Sequence, residues 1–215
     1  MTVEFGYYYP LQKPIYGLII LGCIFLIKFS KAKTVELQSK RTFYRAGLIG
    51  IIFAAITIIL PDNVSAIPFN YTARIFIYIL YQDFFYAYNA LFLVFFGVLF
   101  IITGFRNPEK KGKYLQLAGI FWLITYGLIM VIPFIEGYLS IFFLHLPVGS
   151  SFIVNNVLVL TPKIIGMIAS IFLLLFGAIN KQNFLIVAGA FFLCSFLYAF
   201  IIYLLDIIMP SLMLI

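Results

Sequence analysis

The sequence predicts an all-α integral membrane protein: one transmembrane domain over residues 1–215, with six crossing helices paired as three helical hairpins. Three observations carry that expectation. The chain is 65% hydrophobic and only 10% charged, with a mean hydropathy of +1.15, whereas roughly a quarter of residues are charged in a soluble domain. Even a well-packed soluble domain leaves about a quarter to a third of its chain surface exposed, which is too much to hide 26 Phe among so much Ile and Leu. Six apolar runs reach the about 20 residues that cross a hydrocarbon core of about 30 Å. Lys and Arg, finally, gather in alternate connections between those runs, as they do on the cytoplasmic side of a bilayer.

The first run, 14–30, follows "MTVEFGYYYPLQKP", which has no basic leader. No small-residue cleavage site comes after it, so it is expected to stay as a span. The second, 43–61, opens with Ala46-Gly47 after Lys40 and Arg41 and ends at Pro61. Segments 67–85 and 137–160 are apolar but interrupted, the first by Pro68, the second by Pro147, Gly149 and the pair Asn155 and Asn156. They read as interfacial, re-entrant or spanning, and a crossing by one of them would add a seventh helix. The third run is 86–105. Because no Gly or Pro intervenes between Thr72 and Gly97, a single helix is expected over 72–105, about 50 Å long at about 1.5 Å per residue. Runs 114–134, 161–179 and 183–208 complete the set.

Charge sets the orientation. Lys28, Lys31, Lys33, Lys40, Arg41 and Arg45 surround the first connection, Arg106, Lys110, Lys111 and Lys113 the next short one, and Lys181 the last, so eleven of the 14 basic residues lie on one side. Glu4, Asp62, Asp83, Glu136 and Asp206 fall on or near the other. The basic loops are therefore expected in the cytoplasm and both termini outside, in the plasma membrane. Two sequons, Asn63-Val64-Ser65 and Asn70-Tyr71-Thr72, make Asn63 and Asn70 candidate glycosylation sites in an outer loop.

A rhyme recurs along the chain. Ala46-Gly47, Ala118-Gly119 and Ala188-Gly189 stand about 70 residues apart, each opening the second helix of a hairpin just after a basic loop. Arg41 and Lys113 hold the same place before their Ala, as do Tyr114 and Phe184. The rhyme reads as an internal triplication with units 1–66, 67–136 and 137–215, or as chance recurrence of small residues that let membrane helices approach. The first helices of the three hairpins align poorly in residue type. Mitochondrial carriers are similar in having three two-helix units, but their Pro-x-acidic-x-x-basic signature and their longer repeat are absent, and that family is not assigned. Gly47, Gly119 and Gly189, with the Gly166, Ser170 and Gly177 stripe, are expected at helix-packing faces, whereas Gly112 reads as part of a solvated loop.

Chemistry-bearing residues are few. His145 is the only histidine, which excludes bis-histidine haem and multi-histidine metal sites. No His-Glu-x-x-His, Gly-x-Ser-x-Gly or phosphate-cradling motif occurs. Cys23 and Cys194 are isolated in apolar runs and read as packing residues. An enzyme is not expected, nor any cofactor, and the net charge of +7 follows from loop topology rather than from a nucleic-acid-binding face. The polar residues that could matter are Arg74, Gln82, Asp83 and Asn89, either one wall of an aqueous path or residents of the head-group zone. Lys163 and Asp206, near the outer ends of the last two spans, could form a structural clasp or an ion-coupling site.

These features fit a non-catalytic subunit or scaffold of a larger membrane complex, whose partners are the lipid bilayer and other membrane subunits. The alternative is a small transporter or channel for a small solute or ion, and a further alternative is a membrane sensor module.

Overall fold

The computed structural model describes residues 9–32, 37–59, 91–107, 112–142 and 148–212. Over them the chain forms six helices and no strand: α1 (Tyr9–Ser30), α2 (Leu37–Ile59), α3 (Leu91–Arg106), α4 (Lys113–Phe142), α5 (Val148–Ile179) and α6 (Asn183–Leu212). Five of these are long and apolar enough to cross a membrane, and α3 is a shorter apolar helix. Helix is the form such residues must take in hydrocarbon, because each N–H and C=O finds its partner within its own segment.

Segment 137–160 is not a separate element. Its beginning continues α4, which passes Pro133 and runs to Phe142, and its end belongs to α5, which starts at Val148 and passes Gly149, Asn155, Asn156 and Pro162 without a break. A helix-interior Asn costs only about 0.7 kcal/mol relative to Ala. An unsatisfied backbone group in lipid costs several kcal/mol, so the ladder wins. Residues 60–90, which include segment 67–85 and the first part of the helix expected over 72–105, lie outside the described residues.

The helices close into a ring in which each touches the next in sequence and α6 returns to α1. Four of the contacts, α1 with α2, α4 with α5, α5 with α6, and α6 with α1, are extensive. The ring is completed between α2 and α3, where Gly50 lies against the Phe96 ring, and between α3 and α4, where Gly97 and Gly119 meet. The α1–α2, α3–α4 and α5–α6 connections sit at one end. This follows from cross-helix pairs such as Phe25 with Phe184, Phe43 with Phe100, and Tyr114 with Phe172, each of which joins residues a few positions from a turn.

The turn from α5 to α6 takes only Asn180, Lys181 and Gln182. Lys181 adopts a left-handed conformation (φ 54°), its N–H donates to Ala178 O (3.1 Å), and the N–H of Gln182 donates to Gly177 O (2.8 Å). This pair of bonds satisfies the last carbonyls of α5 in the manner of a Schellman cap. Gln182 O then accepts from the N–H of Ile186, opening α6. Between α3 and α4, Gly112 is buried rather than solvated. Its N–H donates to Asn107 O (3.1 Å), and a Cβ there would collide with Gly104 O. The sequence expectation for Gly112 is thereby corrected: the chain folds back so tightly after Arg106 that the two helices start in backbone contact.

In each hairpin the Ala of the Ala-Gly step is fully buried (Ala46, Ala118, Ala188). The glycine beside it lies on the first helix of the same hairpin. A Cβ on Gly47 would stand 2.7 Å from Cys23 O, one on Gly119 2.5 Å from Gly97 O, and one on Gly189 3.0 Å from Leu174 N. The first helices share a register that their residue types conceal. Buried positions recur as Gly22, Phe96 and Ala169, then Cys23, Gly97 and Ser170, then Leu26, Phe100 and Leu173, then Ser30, Gly104 and Gly177. Large aliphatic side chains such as Leu21, Ile52, Val98, Ile124, Ile171 and Ile201 point outward. Small residues at the close helix contacts and large aliphatic ones turned outward is the distribution of a bundle solvated by lipid.

Candidate functional site

The middle of the ring is filled by aromatic rings. Phe96 and Phe100 of α3 contact Trp122 of α4 at centroid distances of 5.4 and 5.0 Å, and Phe192 of α6 meets both Phe96 and Trp122 edge-on at 5.6 Å. All four side chains are less than 2% exposed. Edge-to-face and tilted pairs at these spacings are the favoured arrangements of aromatic quadrupoles. The indole Nε1–H of Trp122 is buried there without a hydrogen-bond partner.

The rings fit because small residues face them. Phe192 lies against Gly22 (a Cβ would be 3.1 Å from the ring), and Phe96 lies against Gly50 (2.7 Å). The corresponding register positions between α4 and α5 are Trp122 and Ala169, again one large and one small.

Buried hydroxyls in this region are turned onto their own helices. Thr103 Oγ1 donates to Leu99 O (2.7 Å), Thr125 Oγ1 to Phe121 O (2.8 Å), Ser170 Oγ to Gly166 O (2.8 Å) and Ser195 Oγ to Phe192 O (2.7 Å). Such back-bonding satisfies the hydroxyl without presenting a polar face to a neighbour. Among the described residues, these hydroxyls therefore offer no free polar group to the centre at this depth, which the aromatic rings line.

The polar features lie at the two ends. At the end with the short connections, Lys28, Lys31, Arg41, Arg45, Arg106, Lys113 and Lys181 are all exposed. The Lys28 ammonium sits 5.1 Å from the centroid of Phe25, which stacks on Phe191 (5.6 Å, 21°) and neighbours Phe184 (6.4 Å) across the α6/α1 seam. The Lys113 ammonium sits 5.5 Å from Tyr114, whose ring neighbours Phe172 (6.4 Å). Phe172 in turn stacks on Phe121 (5.5 Å, 16°) across the α4/α5 seam.

Of the residues singled out in the sequence, Gly166 and Gly177 are both brought against α6, Gly166 beneath the Phe196 ring and Gly177 beside Leu185 and Ile186, while Ser170 is buried between them in register. Lys163 is partly buried on α5 and stands 3.7 Å from the ring centroid of Tyr203 on α6, a cation–π contact. Asp206 lies one turn beyond Tyr203 on the same helix, and its side chain is outside the described residues. So are Arg74, Gln82, Asp83, Asn89, Asn63, Asn70 and His145. Cys23 is buried at the α1/α2 contact and Cys194 is exposed. Among the described residues no three His, Cys, Asp or Glu side chains gather in one place.

Sequence reasoning missed the ring cluster at the centre, the two aromatic seams and Tyr203 as the partner of Lys163. The recurrence of Tyr114 and Phe184 was a visible signal for one side of each seam. The opposing Phe172 and Phe25 belong to the next hairpin round the ring and share no local pattern with them. No family model, no characterised protein and no solved structure matches the chain.

Proposed function

We propose that the chain is a polytopic membrane protein with a structural task, a non-catalytic subunit or scaffold of a larger membrane complex. The observation that supports it is the aromatic centre: Trp122, Phe96, Phe100 and Phe192 fill the middle of the ring, and the buried hydroxyls bond to their own backbone. A hydrated solute would have to give up its water there without gaining partners, at a cost of about 2 kcal/mol or more per polar group. What the bundle offers is its outer surface, apolar on every side, to lipid and to other membrane chains. The alternative, a small transporter for a solute or ion, draws on Lys163 and Tyr203 with Asp206 one turn away, all beyond the ring cluster from the basic end. A sensor module is the further alternative.

In this reading the basic connections are cytoplasmic, the leading end of α1 and the trailing end of α6 are outside, and the membrane is the plasma membrane. The three hairpins are read as copies of one hairpin of about 70 residues. Support for the copies comes from the shared burial register, since independent hairpins have no reason to bury Ala-Gly at the same place. Purification in mild detergent tests the main reading. A companion chain in fixed ratio, retained through size exclusion and lost when outward residues such as Ile52 or Ile124 become Lys, is the expected result. A monodisperse chain that carries solute into liposomes, with flux abolished by Lys163→Ala, would sink it. Orientation is checked by labelling a cysteine placed at position 110: access from outside intact cells contradicts the assigned topology.

A further inference from the structure

The two aromatic seams at the basic end match ring for ring, although the ammonium comes from a first helix (Lys28) at one and from a second helix (Lys113) at the other. Phe25 and Phe172 hold the same register position on the first helices of their hairpins, as Phe184 and Tyr114 do on the second helices, and Phe191 and Phe121 one step deeper. Each seam joins the second helix of one hairpin to the first helix of the next, and in each an ammonium stands over the outermost rings. The third seam, between α2 and α3, carries Thr42, Ile49 and Leu99 at these positions, with Arg41 in the place of Lys113. It has the charge without rings at these positions.

We propose that the α6/α1 and α4/α5 seams are two related binding sites for an anionic phospholipid, the phosphate held by Lys28 at one and by Lys113 at the other, with an acyl chain lying along the stacked rings. The proposal rests on the membrane-protein reading above but not on the subunit role. Three features of the seams select this occupant.

First, the order of chemistry matches. The ammonium lies at the turn end, and the rings step from Tyr114 to Phe121 over about 10 Å of helix, which leads from head-group depth into hydrocarbon. A free phosphate or a nucleotide would use the lysine and leave the rings idle. Second, the charge matches. Basic residues outnumber acids at this end by eleven to two (Glu36 and Glu109), with Lys181 next to the α6/α1 seam in the turn before Phe184, so a zwitterionic head group, which brings its own cation, is at a disadvantage. Third, the surface is accessible and flat. Phe184 is 42% exposed, and the pairs Phe25 with Phe191 and Phe172 with Phe121 lie within 21° and 16° of parallel. An acyl chain can lie on such a ledge, whereas the third seam carries no ring at these register positions and the Phe43 and Phe100 rings near its turn are buried.

A lysine held over a ring keeps ammonium donors free for a phosphate oxygen, and the ring limits its rotamers, so less freedom is lost on binding. A basic residue near an anionic surface favours binding by about fivefold, and that is the preference expected per site.

The test is native mass spectrometry of the full chain released from nanodiscs holding equal phosphatidylglycerol and phosphatidylcholine of identical acyl composition. The wild type is expected to retain up to two phosphatidylglycerols in preference to phosphatidylcholine. Lys28→Gln and Lys113→Gln should each remove one, and the double variant both, with unchanged melting in detergent because both lysines are exposed. Phe25→Ala and Phe172→Ala should weaken retention although the lysines remain, and Arg41→Gln should leave both lipids in place. Equal loss in Arg41→Gln and Lys28→Gln would mean a diffuse basic rim and overturn the proposal, as would equal retention of the two lipids. A chain that fails to enter nanodiscs at all would overturn the membrane reading with it.

Discussion

Contacts inside a hairpin and contacts between hairpins are built differently. Inside, backbone meets backbone at the Ala-Gly steps and at one turn: Gly119 faces Gly97 O, Gly47 faces Cys23 O, and Gly112 faces Gly104 O, while Gly166 lies under the Phe196 ring. Between hairpins, a ring on one helix meets a small residue on the next, as Phe192 does on Gly22 and Phe96 on Gly50. A turn as short as Asn180 to Gln182 holds the ends of its two helices together, so side chains must shrink until the helices fit. Across the seams between hairpins the spacing is set by van der Waals packing of the side chains, since lipid supplies no hydrophobic drive between helices.

The largest effect should come from putting bulk into an inside contact. Gly119→Leu places a side chain on Gly97 O and Ile101 N, neither of which can move aside. The loss should be at the upper end of, or beyond, the about 1 to 3 kcal/mol usual for overpacking. Gly112→Leu should be as damaging, because Gly104 O and Asn107 O stand in its way. Thermal unfolding in detergent measures both, and a mild Gly112→Leu would return that residue to the solvated loop its sequence suggested.

Next in size is the central cluster that the between-hairpin contacts create. Trp122→Ala should cost about 3 to 5 kcal/mol through the cavity it leaves. Trp122→Phe should fall within about 1.5 kcal/mol of the wild type, because the smaller ring leaves a void but also removes a buried N–H whose unpaired state costs about 1 to 3 kcal/mol. A large loss in Trp122→Phe would show that the indole N–H has an acceptor after all.

A smaller contrast compares the two kinds of contact directly. Gly47→Ala meets a carbonyl oxygen at 2.7 Å, whereas Gly22→Ala meets the edge of the Phe192 ring at 3.1 Å and a carbonyl, Ala188 O, only at 3.3 Å. A ring can pivot and a helix backbone cannot, so Gly47→Ala should destabilise by about 1 to 3 kcal/mol. Gly22→Ala should stay within about 1 kcal/mol of neutral, helped by the better helix propensity of Ala. Reversed order in chemical unfolding would contradict the assignment of rigid contacts to hairpin interiors.

The smallest expected effect is a gain. Lys181 adopts a left-handed conformation (φ 54°) that costs an ordinary residue about 1 to 2 kcal/mol and costs glycine little. Lys181→Gly should stabilise by about 1 kcal/mol, read as a higher melting temperature, at the expense of one positive charge at the basic end.

The sequence by itself determined the class, the approximate extents of α1, α2 and α6, the places where the chain turns, and the Ala-Gly steps on the second helices. These are local matters. Hydropathy over about 20 residues decides whether a segment belongs in hydrocarbon, and a cluster of lysines marks a turn without reference to the rest of the chain. It misjudged α5, whose path through Asn155 and Asn156 is held by backbone bonding that side-chain polarity does not reveal. It also misjudged Gly112, which looks like loop because the residues around it are charged. Only the tertiary structure decided which residues meet across the seams. Phe25 stacks on Phe191 and Lys163 lies over Tyr203 because α6 closes the ring beside both α1 and α5. Ring closure brings Phe25 and Phe191 together from opposite ends of the chain, beside the small Gly22 that lets Phe192 approach, and the pairing of Lys163 with Tyr203 follows from the registration of α5 on α6, which no local pattern near Lys163 reveals.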